Sequence, residues 1–169
     1  MRKALIFIGL SVLVLITACN STGAKEVLEY HNAYYNEIVE GVMEIDEAYV
    51  KMELTETVDE DVEIANNEIL PTLDKMKTHM ESQKPTKDDT KEYHKLRSDW
   101  FELYSELVES EIQMMDDYMN DLISEEELEE KLVESFARYE EMEELWEKGE
   151  TKIDELADKY KFEEDEVEE

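Results

Sequence analysis

The side chains able to do chemistry in this 169-residue chain are 48 Asp and Glu, three His and a single Cys. His31, His79 and His94, if carried on antiparallel helices, fall near one end of a bundle. With neighbouring carboxylates they would form a nitrogen and oxygen donor set for a divalent transition metal. The spacing argues against a di-iron site, which needs Glu-x-x-His on two helices. Here the residues three before the histidines are Leu28, Met76 and Lys91. No His-x-x-Glu occurs either, and only His31 lies on an apolar stripe, so surface or half-buried histidine is the competing reading. Tyr30, Tyr34, Tyr35, Tyr93 and Tyr160, with Trp100 a little above, map to the same end. Phenol rings with an apolar face and a polar rim make a platform for a sugar ring or a peptide. Against that stands a core role for Tyr34 and Tyr93, with their hydroxyls reaching water at the bundle edge.

Met52, Met114, Met115 and Met119 should meet at the opposite end. There they would act as flexible core filler, an adaptable groove or a soft site for cuprous ion. The carboxylates are too many to single out. Glu125-Glu126-Glu127 and Glu140-Glu141 are dense, but no Asp-x-Asp-x-Asp-Gly loop occurs, so diffuse condensation of divalent cations is expected rather than a selective site. No serine or histidine stands in a nucleophile frame, and a non-enzymatic protein without a cofactor is the expectation.

Cys19 is different, because its surroundings are specific. Arg2-Lys3 is a short basic start, and Ala4 to Ala18 carries no charged side chain. As a helix that run would reach about 22 Å, short of the ~30 Å hydrocarbon layer, so it reads as a secretion signal rather than a permanent span. Ile16-Thr17-Ala18-Cys19 resembles a bacterial lipobox. The resemblance implies cleavage before Cys19 and diacylglycerol on its thiol, with two acyl chains giving stable anchoring at the outer face of the cell membrane. The mature chain would carry 48 acidic and 15 basic side chains, a balance of −33. That charge repels nucleic acid. Four Gly, two Pro and one Cys leave no material for a glycine-rich phosphate loop, a zinc ribbon or a disulfide scaffold.

The elements that must position these residues are helices. Val27, Tyr34/Tyr35, Ile38, Val42, Ile45, Tyr49 and Met52 follow the three-and-four stagger of a helix with one dry side, with His31 filling the gap. Thr57-Val58-Asp59-Glu60 reads as a capping box opening a second helix through Val62, Ala65, Ile69, Leu73, Met76 and Met80, with a bend expected at Pro71. Ser82 to Thr86 breaks the pattern. A third helix through Tyr93, Trp100, Leu107 and Met114 has a second seam at Phe101, Val108, Ile112 and Leu122, which makes it the centre of the core. Ser124-Glu125-Glu126-Glu127 caps a fourth, along which Glu127/Lys131, Glu144/Lys148 and Glu155/Lys159 are spaced as helical ion pairs. The architecture expected is all-α: an antiparallel up-down-up-down bundle of three to four long helices. Its boundaries are 1–18 signal peptide, 19–26 lipidated cysteine and tether, 27–162 bundle and 163–169 acidic tail. Gly41 and Gly149 should face each other across the first and fourth helices, making room for Trp146.

With the lipobox, the Tyr-rich Glu29-Tyr30-His31-Asn32-Ala33-Tyr34-Tyr35 and the acidic helical body, the chain resembles the small helical lipoproteins of Gram-positive bacteria, some of them grouped as cell-wall-binding lipoproteins. The resemblance implies a membrane-anchored extracytoplasmic lipoprotein with a binding or scaffold role toward an envelope protein or cell-wall polymer. A cation- or metal-handling lipoprotein serving a membrane transporter is the alternative.

Overall fold

Two capping boxes and one proline-containing loop divide the chain. In the computed structural model, which describes residues 14–15, 22–55 and 57–164, four long helices result. Helix α1 (residues 22–52) joins Thr22–Tyr34 to Glu40–Met52 through a π-turn at Tyr35–Val39. Helix α2 (58–82) has a π-turn at Ala65–Ile69, and α3 and α4 are the unbroken Asp88–Met119 and Glu125–Tyr160. Both capping boxes form: Thr57 accepts the Glu60 N–H, Ser124 accepts the Glu127 N–H, and each glutamate returns to the backbone of its cap. Where the sequence predicts a bend at Pro71, the helix carries a π-turn just before the ring. Pro71 has no N–H to offer the Asn67 carbonyl, and a locally widened turn absorbs the mismatch.

Cross-helix bonds fix the directions. On α1 and α2, Lys75–Glu37, Thr72–Glu44 and Lys51–Glu68 run in opposite order along the two helices. On α3 and α4, Arg138–Glu106, Arg97–Glu150, Lys152–Glu92 and Lys159–Asp89 do the same. Helices α1 and α3 run parallel and touch, with His31 beside Tyr93 at their N-terminal ends. The bundle is thus up-down-up-down, as the loop lengths imply. The core is the inner face of α3 (Tyr93, Trp100, Tyr104, Leu107) against Ile38 and Ile45 of α1, Ile69, Leu73 and Met76 of α2, and Met142 and Leu156 of α4.

Several expectations are corrected. Thr22 to Glu26 are not tether but the first turns of α1: Ala24 is buried, and the Glu26 carboxylate accepts the Thr86 and Lys87 N–H groups at 2.7 Å each, stitching α1 to the α2–α3 loop. Gly41 and Gly149 do not face each other. A Cβ on Gly41 would meet Met76 of α2, and one on Gly149 would meet the Arg97 guanidinium of α3. Of the three helical ion pairs, only Glu144–Lys148 forms, at 3.9 Å, because Glu127 is committed to its cap and Lys159 reaches Asp89 on α3. Leu122 lies past the end of α3 and is exposed. A two-residue antiparallel bridge, Val14↔Glu164 and Leu15↔Glu163, adds a pair of short strands the side-chain pattern did not call for. Otherwise the signal segment, Cys19 and residues 165–169 lie outside the described residues.

Candidate functional site

Arg97 organises the end of the bundle where α1 and α3 begin. One turn after Tyr93 and one before Trp100, it sits on the inner face of α3, and its side chain is 2% exposed. A buried guanidinium needs partners on every side. Its Nη2 donates to the Glu150 carboxylate of α4, and its Nε donates to the Tyr93 hydroxyl at 3.1 Å. Its flat faces are covered by rings: Cζ lies 5.0 Å from the Tyr34 centroid, 5.1 Å from Tyr93 and 4.6 Å from Trp146. Nη1 is turned to Gly149, the one residue type whose backbone lets it approach, and finds no hydrogen-bond acceptor there. Burial works against the charge, but the oxygens of Tyr93 and Tyr34 and the Glu150 carboxylate outweigh it and raise the arginine pKa.

The chain of bonds continues into α1. Because Tyr93 accepts from Arg97, its own O–H is free to donate to His31 Nδ1, 2.9 Å away. With Tyr93 donating, a neutral His31 carries its proton on Nε2. Burial, helped by the nearby Arg97 charge, pushes His31 down to about 4. A second link crosses the first: the Tyr30 hydroxyl meets His94 Nδ1 at 3.0 Å, and His94 Nε2 lies 3.4 Å from the Ser98 hydroxyl. The rings of Tyr30 and Tyr93 pack edge to face at 5.5 Å between the two links. Each helix supplies one tyrosine and one histidine to the other. Burial also lowers the His94 and His79 pKa values, and it raises those of Tyr30 and Tyr34.

The residues singled out from sequence are therefore brought together only in part. Tyr30, Tyr34, Tyr93 and Trp100 are core rings rather than an exposed platform: their faces are taken by Arg97, by one another, or by Tyr104, which stacks on Trp100 at 5.2 Å. The hydroxyls of Tyr34 and Tyr93 do not reach water as expected; that of Tyr93 is enclosed in the chain and that of Tyr34 is buried. Tyr35 is half-buried at the start of the π-turn. Tyr160 is also half-buried, donating its hydroxyl to Asp89, and that bond, with burial behind it, raises its pKa to about 12. His31 and His94 share the tyrosine cluster, whereas His79 bonds Gln83 of its own chain end. Among the described residues no group of three or more His, Cys, Asp or Glu side chains is arranged to hold a metal ion.

The apolar spacing does not pick out Arg97, although two signals in the sequence point to it. Tyr93, Arg97, Trp100 and Tyr104 keep the stagger of one helix face, and Glu-Tyr-His occurs twice, at 29–31 and 92–94. Chemically the arrangement is a cross-link. It joins α4, α3 and α1 through Glu150, Arg97, Tyr93 and His31. Two shallow hollows of about 370 and 460 Å³ lie along the α1–α2 flank and touch none of these four residues. No protein-family model matches the chain, and no curated protein or solved structure is significantly similar to it.

Proposed function

We propose that the chain is a membrane-anchored extracytoplasmic lipoprotein, acylated at Cys19, with a non-enzymatic binding or scaffold role at the cell envelope. The observation that carries the reading is the start of α1 at Thr22. Only residues 20 and 21 separate it from Cys19, so at ~3.3–3.6 Å per residue the bundle would stand within about 10 Å of the acylated thiol. Its Arg97 end would face the membrane, and α4, about 54 Å long at 1.5 Å per residue, would carry the other end outward. The interior of the Arg97 end supports a scaffold: His31, His94, Tyr30 and Tyr93 pair across α1 and α3, and a rod with one fixed geometry transmits position.

Intact-mass analysis of the protein from cells making the full chain tests this. The reading expects a species beginning at Cys19 with diacylglycerol attached, found in the membrane fraction. Cys19→Ser should abolish the added mass and the membrane association. A full-length, unmodified chain in the cytosol would overturn it.

A further inference from the structure

We propose that the end of the bundle opposite the Arg97 chain docks a cationic amphipathic helix of a partner protein. This deepens the scaffold reading and rests on it only for the direction in which that end faces. Among the described residues six large hydrophobic side chains are exposed, and five belong to this end. Val50 and Leu54 finish α1, Tyr118 and Leu122 finish α3, and Val133 lies near the start of α4. Leu54 is 80% exposed and Leu122 69%, although the core holds comparable side chains at under 10%. Leu54 also borders the shallow hollow of about 370 Å³ that Ile64 of α2 lines together with Lys51, Thr55 and Glu60.

The charge around these residues states what the occupant must be. Segment 53–64 carries six acidic side chains and no basic one; segment 116–134 carries nine and a single lysine, Lys131. Lys51, beside the hollow, is already paired with Glu68. An anionic membrane or an acidic polymer is repelled by such a ring, and so is the same end of a second copy. A helix with aliphatic side chains at i, i+3 or i+4 and i+7, flanked by Lys or Arg, satisfies both features: its apolar stripe meets exposed leucine and valine at this end while its cations meet the acidic rim.

The test is calorimetric titration of the full chain, in 0.15 M salt (about physiological ionic strength), with three synthetic peptides of equal length. One has Lys and Leu at helical spacing, the second has Glu in place of Lys, and the third has Ser in place of Leu. The expected result is saturable one-to-one binding of the Lys/Leu peptide and at least tenfold weaker binding of the other two. The Leu54→Ser/Leu122→Ser double variant should bind at least tenfold more weakly with an unchanged circular dichroism spectrum, and Met43→Ser should bind like the parent. If the double variant does not fold, Val133→Ser is read in its place. Binding undiminished by these substitutions, or a Lys/Ser peptide binding as tightly as Lys/Leu, would reduce the effect to diffuse charge and overturn the proposal. So would self-association in sedimentation that the double variant abolishes, or capture by anionic phosphatidylglycerol vesicles that it abolishes. Cys19→Ser must bind the peptide unchanged, which separates failure here from failure of the acylation reading.

Discussion

The two ends of the bundle solve opposite problems. At the end where α1 and α3 begin, a buried arginine, two tyrosine–histidine links and the Glu26 clamp join helices through buried or half-buried polar groups, although the Tyr34 hydroxyl, Trp100 Nε1 and Arg97 Nη1 stay without a hydrogen-bond partner. At the other end, helices finish with leucine and valine in water and carboxylates all around. A buried charge network gives little net stability over an apolar core, and each of its cross-helix bonds is lost if a partner helix shifts register. The first end is thereby held in a single register, and the second is left with surface to spare.

That contrast can be broken most directly at Arg97. Arg97→Ala leaves the Tyr93 hydroxyl and the aromatic faces without their cation and opens a cavity, so urea unfolding should show a loss of about 3–5 kcal/mol. Arg97→Met, apolar and adaptable, should lose far less. A loss below about 1 kcal/mol for the alanine variant, within the range of an ordinary surface change, would mean that the chain does not hold this end.

Acid should act on the same end. The folded His31 pKa, about 4, lies below the ordinary imidazole value of 6.5, so the native state binds fewer protons than the unfolded one across that window. Its contribution, roughly 3 kcal/mol at about 1.4 kcal/mol per pKa unit, is fully present above pH ~6.5 and is lost as pH falls toward ~4. Asp46, raised by burial to about 6, works with the opposite sign, gaining stability as pH drops through that value. His31→Gln keeps an acceptor for Tyr93 without titrating, and stability measured against pH should then fall less steeply between 6.5 and 4. Below that, Glu26 follows: partial desolvation raises its pKa, but the Lys87 N–H and the Thr86 hydroxyl and N–H overcome it and bring it to about 2.

The two helical glycines sharpen the contrast. A Cβ at Gly149 would sit 2.6 Å from Arg97 Nη1, against a planar group wedged between rings. Gly149→Ala should cost roughly 1–2 kcal/mol even after the gain in helix propensity. At Gly41 the clash is with the Met76 thioether, the flexible end of a side chain, so Gly41→Ala should stay within about 1 kcal/mol of the parent. The smallest effects belong to the outward end: Leu54→Ser and Leu122→Ser should each change stability by less than about 0.5 kcal/mol in the same denaturation experiment.

What was legible in the sequence is what local rules decide. Thr57 and Ser124 caps, the Pro85 loop and the α2 stripe from Ala65 to Met80 depend on residues within one or two turns of each other, and each stands where the pattern put it. Gly41 and Gly149 were misjudged because their neighbours depend on which helices touch, which spacing along one chain does not specify. Arg97 was passed over because a stripe of apolar residues treats arginine as a gap, whereas three rings and a glycine turn that gap into the centre of the site. Thr22 to Glu26 look like linker by composition, yet Glu26 finds backbone donors sixty residues away in the α2–α3 loop.

Native-state hydrogen exchange tests the difference between the ends most directly, because it reads local opening segment by segment. Amides in 27–38, 90–104 and 149–157 should exchange only through global unfolding, and those in 48–55, 58–64 and 116–133 at least about a hundredfold faster through local opening. Uniform protection along all four helices, or slower exchange at the leucine-bearing end, would contradict the account.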